Sequence, residues 1–130
     1  MKKFLSMMSF AMIMFVASTV AHADPYIQAE ITSIDFRPGS NQIVLYMTLY
    51  NTGDRRAEVT ALHVHSLNIY DTNGNLLWSD SVNFNNPSNC YIEAGYHISN
   101  VPFTIIQTRA PAYYGRTTYN WNYTAYWRTY

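Results

Sequence analysis

The stretch Leu67-Asn68-Ile69-Tyr70-Asp71-Thr72-Asn73-Gly74-Asn75-Leu76-Leu77 decides the fold class. Two apolar, β-prone runs flank Asn-Gly, the strongest short-range signal for a β-hairpin, because a type I′ turn needs positive φ at both central residues. Leu76, Trp78, Val82 and Phe84 share one face of the predicted return strand. Upstream, residues 57–70 are β-prone and long enough for one bent strand or two short ones. Farther upstream, Gln42 to Tyr50 is apolar on both faces: Ile43, Leu45, Met47 and Leu49 on one, Val44, Tyr46 and Tyr50 on the other. That pattern predicts a central strand covered on both sides. Ile27, Ala29 and Ile31 alternate with polar residues, then the phase slips to Ile34 and Phe36, which predicts a bulge near Thr32-Ser33.

Working downstream from the hairpin, Asn85 to Asn89 reads as a polar loop. Cys90 to Ile92, a turn at Ala94-Gly95 and His97 to Gln107 form another strand pair. Arg109 to Gly115 reads as a loop and Arg116 to Trp127 as the last strand. In that strand Thr117, Tyr119, Trp121, Tyr123, Ala125 and Trp127 fall on one face, and the end beyond Trp127 is expected to be free. The turns at Pro38-Gly39-Ser40-Asn41 and Asn51-Thr52-Gly53-Asp54 separate the earlier strands. No segment has helical periodicity. About seven short strands between Gly, Asn and Pro turns predict an all-β, antiparallel sandwich.

The N-terminus has the three parts of a secretory leader: Lys2 and Lys3, an apolar run from Met7 to Val16, and Ala21-His22-Ala23 as a cleavage site. Residues 1–23 are therefore expected to be a signal peptide and residues 24–130 a single domain beginning at Asp24. The apolar run is shorter than the roughly 20 residues that span a bilayer, so no membrane insertion is expected after cleavage. The destination is the periplasm or the extracellular space. Both lysines and all methionines but Met47 lie in the leader, so residues 24–130 carry six arginines against eight acidic residues, a net charge of −2. That charge argues against nucleic acid or an anionic membrane surface as partner, since clustered Lys and Arg hold both. Cys90 is the single cysteine. It has no internal disulfide partner and is expected to be a small buried hydrophobe, with an intermolecular disulfide or a reactive thiol as the alternative.

Leu67 to Leu77, closing on Tyr70-Asp71 and followed by Gly74, resembles a pattern in bacterial extracytoplasmic immunoglobulin-like domains of the FxLYD type. Tyr50-Asn51-Thr52-Gly53 is similar to their Asn-rich turn, and Ile92-Glu93-Ala94-Gly95 to a later turn. BsuPI-type proteinase inhibitors are similar, with an aromatic residue soon after the Gly, as Trp78 stands here. The resemblance covers roughly residues 43–103 and implies an immunoglobulin-like sandwich. It supplies no inhibitory loop that matches residues of this chain.

Chemistry-bearing constellations are few. His63 and His65, two residues apart on a strand, would point to one face and could share a zinc or copper ion. His97, Cys90, Asp80 or Glu93 could complete such a site; the bland alternative is a hydrogen-bonded pair of surface histidines. His63, Cys90 and Arg109 follow the chain order of sortase-type transpeptidases, but Ser88-Asn89-Cys90 replaces the Thr-Leu-x-Thr-Cys signature. No nucleophile elbow or carboxylate pair is evident, so no enzymatic activity and no cofactor are expected. Tyrosine is the compositional outlier, with twelve residues. Most suit a sandwich core, but Tyr113 and Tyr114, beside Pro111 and Gly115, are the expected contact patch. The function expected first is a non-catalytic binding module for a protein or glycan. A structural or adhesive subunit that assembles through strand edges comes second, and a periplasmic metal-binding protein third.

Overall fold

A computed structural model describes residues 26–87 and 90–129. The predicted leader lies outside the described residues. The described residues are all-β, with seven strands in two antiparallel sheets: β1 (Ile27–Arg37), β2 (Gln42–Asn51), β3 (Ala57–Tyr70), β4 (Leu76–Asn85), β5 (Tyr91–Ile92), β6 (His97–Ile105) and β7 (Thr118–Thr129). A 3-10 turn, Pro38–Ser40, joins β1 to β2.

One sheet has the order β1-β2-β6. In the other, β3 is central: β7 runs along one side, and β4 continued by β5 runs along the other. The inward side chains of β2 and β3 carry the core. Ile43, Leu45, Met47 and Leu49 oppose Leu62, Val64, Leu67 and Ile69, and all eight are fully buried. On the outer side of β2, Val44 and Thr48 are also buried, as a central strand requires.

The bulge expected near Thr32-Ser33 is present: Ile31 pairs with Met47 and Ser33 with Tyr46, which leaves Thr32 as the extra residue. Residues 57–70 form one strand, bent by register shifts between Val59 and Ala61 and between Val64 and Ser66. The turn after it differs from expectation. Of its two central residues only Gly74 has positive φ, at 83°. Gly74 N–H donates to the Asp71 carbonyl and Asp71 N–H to that of Asn75, a type I turn closed by a left-handed glycine. The Asp71 carboxylate accepts from the Asn73 and Asn75 amides, both at 2.9 Å. Those bonds hold its pKa below the usual carboxylate value and favour this turn over type I′. The register then shifts between Ile69 and Tyr70. Leu76 therefore leaves the predicted apolar face and is exposed, while Leu77 packs against the core with Trp78, Val82 and Phe84.

Asn51 joins the two sheets. Its side chain is 1% exposed. Its Nδ2 donates to the carbonyls of Arg55 at 2.7 Å and Ile92 at 3.0 Å, and its Oδ1 accepts from Gly53 N–H at 3.0 Å. Its backbone bonds Tyr96 and Gly95. The two turns that carried the family resemblance are thus tied to each other through one amide.

The C-terminal strand alternates as predicted, with Tyr119, Trp121, Tyr123, Ala125 and Trp127 packed against the core and the residues between them exposed. It does not end at Trp127. Thr129 pairs with Ala57, and Arg128 Nε donates to Glu58 at 2.7 Å. The segment between β6 and β7 crosses one end of the sandwich. It is pinned by Thr108, which accepts from Trp78 Nε1 at 2.9 Å, and by buried Ala110.

Candidate functional site

The outward face of the β7-β3-β4 sheet gathers the polar side chains that the core does not use. Alternation dictates its membership: Thr118, Asn120, Asn122, Thr124 and Tyr126 on β7, Asn68 and Tyr70 on β3, Ser79, Asn83 and Asn85 on β4. Part of this array is hydrogen-bonded across three strands. Ser79 Oγ donates to Asn68 Oδ1 at 2.5 Å, Asn68 Nδ2 to Asn120 Oδ1 at 2.7 Å, and Asn120 Nδ2 to Tyr70 at 3.4 Å. The network fixes Ser79, Asn68 and Asn120 relative to one another and leaves donors and acceptors of this face toward solvent. The charges on this face stand at one end, where Arg128 is paired with Glu58.

His63 and His65 are both on this face, as the period of two implies, but they turn apart. His63 Nε2 lies 3.1 Å from Asn85 of β4, and its ring meets Tyr126 at 4.9 Å between centroids. His65, in the β3 bulge, has its Nε2 2.8 Å from Thr124 of β7. His97 stands on the outer face of the other sheet, 5.6 Å from the ring of Tyr50. The three imidazoles therefore do not converge. Among the described residues no group of three His, Cys, Asp or Glu side chains is arranged to hold a metal.

Tyr113 and Tyr114 also part company. Tyr113 packs edge-on against Phe36 at 6.4 Å and donates to the Arg116 carbonyl at 2.6 Å. Tyr114 is 81% exposed. Cys90 is buried, and desolvation, with a lesser contribution from Glu58, raises its thiol pKa. That is the reverse of what a thiolate nucleophile needs. Cys90 and Phe84 help line an open groove of about 510 Å³ between β4 and β6.

Two tyrosines that composition alone assigned to the core do something more specific. Tyr123 accepts from Ala29 N–H at 2.8 Å, and Tyr119 accepts from Ile31 N–H at 3.1 Å. They close the outer edge of β1 from the opposite sheet. Burial raises the pKa of Tyr119 strongly and that of Tyr123 to about 12. The polar face was missed as a site because each of its residues, taken singly, is an ordinary solvent-facing strand residue. The long Asn/Thr alternation from Thr118 to Thr124 was the available signal.

No protein-family model matches the chain, and no curated protein matches it.

Proposed function

We propose that this chain is an exported, immunoglobulin-like binding module without catalytic activity, and that it engages a neutral glycan through the outer face of the β7-β3-β4 sheet. The observation that carries this reading is the ordered array of amides and hydroxyls on that face, with the rings of Tyr70 and Tyr126 beside it. A sugar offers hydroxyls that both donate and accept, and apolar C–H faces that stack on aromatic rings. Amide and hydroxyl side chains match the first, and Tyr126, 45% exposed, suits the second. The absence of a basic cluster on this face fits a neutral ligand better than an anionic one.

The export signature at residues 1–23 agrees with a partner outside the cytoplasm. The immunoglobulin-like assignment rests on the sandwich topology together with the resemblance over residues 43–103. The expected experiment is a glycan array probed with the labelled protein and with Tyr126→Ala and Asn122→Ala. A set of neutral glycans should retain the first and lose both variants, with circular dichroism unchanged. Equal retention of all three proteins, or of none, would refute the reading and leave a protein partner as the alternative.

A further inference from the structure

A sandwich of two open sheets has edges, and exposed edges pair with other strands unless something prevents it. Three of the four edges here carry an obstacle. The β1 edge is capped at Ala29 and Ile31 by the hydroxyls of Tyr123 and Tyr119. The β6 edge contains Pro102, which has no N–H, and Asn100 at a φ of 57°. In β4, Asp80 pairs with inward-facing Leu67 and so places a charge in the inward phase of the strand, a recognised guard against edge pairing. The β7 edge has no such device. Its twelve residues include no Pro, Gly, Lys, Asp or Glu, and its one charge, Arg128, is already paired with Glu58. Among the described residues, β7 pairs with β3 only.

The sequence of that edge has a second property. Thr118-Tyr119-Asn120-Trp121-Asn122-Tyr123-Thr124 reads the same in both directions. Two antiparallel strands related by a twofold axis bring residue i of one opposite residue j of the other, and j opposite i. With the axis at Trp121, the palindrome pairs like with like. Thr118 meets Thr124 of the second copy, Tyr119 meets Tyr123, Asn120 meets Asn122, and Trp121 meets itself. Thr-Thr and Asn-Asn pairs can donate and accept reciprocally, and aromatic cross-strand pairs are favourable. Just outside the palindrome Arg116 falls opposite Tyr126, so no like charges are opposed.

We infer that the chain self-associates by antiparallel pairing of β7 with β7 of a second copy, centred on Trp121. The product is a dimer with one continuous sheet in the order β4-β3-β7-β7-β3-β4. The two outer polar faces then lie side by side on that sheet. The inference does not rest on the glycan reading, because the edge and the palindrome are independent of any ligand.

Two measurements test it. Sedimentation of the unmodified protein over a dilution series should show a mass that doubles with concentration; a monomer up to the solubility limit would overturn the inference. The second measurement reads the register. Asn120→Cys and Asn122→Cys are prepared separately, both at exposed positions. Opposed Cα atoms in an antiparallel pair stand about 4.5–5.5 Å apart, within reach of a disulfide. A mixture of the two variants should form a covalent dimer under mild oxidation, and each variant alone should not. A mixture that fails to cross-link while the unmodified protein dimerises, or single variants that cross-link as readily as the mixture, would also overturn it.

Discussion

Asn51 shows how much of this fold depends on a single amide. Asn51→Ala leaves the Arg55 and Ile92 carbonyls and the Gly53 N–H without their partner. The Ile92 carbonyl and Gly53 N–H are buried, and each unsatisfied buried group costs about 1–3 kcal/mol, so a loss of about 2 kcal/mol or more is expected from urea unfolding. Asn51→Asp, nearly identical in shape, should be no better, since a carboxylate cannot donate to those carbonyls. The tyrosine caps have a pH signature. The unfolded tyrosine ionises near pH 10, whereas folding raises Tyr123 to about 12 by favouring the neutral form. Its contribution is therefore complete below about pH 10 and is lost as the pH rises toward the folded value. Unfolding midpoints should fall between about pH 10 and 12, and the fall should be shallower for Tyr123→Phe, which itself loses about 1 kcal/mol at neutral pH. A tyrosine in a strand is legible as core-facing from its phase. That its hydroxyl serves a backbone amide 94 residues away is not, because nothing in the local pattern encodes which strand lies across the sandwich.

Among the elements, β7 is the one whose removal decides most. It pairs with β3 from Ala57 to Tyr70 and packs Tyr119, Trp121, Tyr123 and Trp127 against the core. Full burial of such side chains is worth roughly 1.5–3 kcal/mol each. Even the lower end for four of them, about 6 kcal/mol, is comparable to the whole stability of a typical domain, about 5–15 kcal/mol. Deleting residues 116–130 should leave a chain without a cooperative melt, as followed by circular dichroism and size exclusion. A folded, soluble monomer would contradict that role. The strands, the β1 bulge and the alternation of β7 were legible because a period of two and the turn residues are local signals. The hairpin turn was legible as a turn but not in type, since the Asp71 carboxylate chose between two geometries that Asn-Gly both allows. The histidine pair was legible as outward-facing. Its divergence was not, because Asn85 and Thr124 come to it from different strands and the bulge at His65 is set by pairing.

For the whole molecule, Cys90 is a reporter of global opening. It is buried against both sheets, and its thiol pKa is raised. A thiol reagent should react slowly with the native protein and fast in denaturant, with a native rate that tracks unfolding when Asn51→Ala is compared with the unmodified chain. Fast native reaction insensitive to stability would place the thiol at the surface. The leader expected at residues 1–23 predicts a product that begins at Asp24, which intact-mass measurement of secreted material checks; a product that keeps Met7 to Val16 would contradict it. The order in which the sandwich closes follows from Tyr123 reaching back to Ala29. β7 seals β1, so a chain emerging N-terminus first has an uncapped β1 and a one-sided β3 until β7 is present. Contacts so distant in sequence form slowly. Folding is thereby deferred until β7 is available, and the order of strands along the chain sets a clock for the closing of the sandwich.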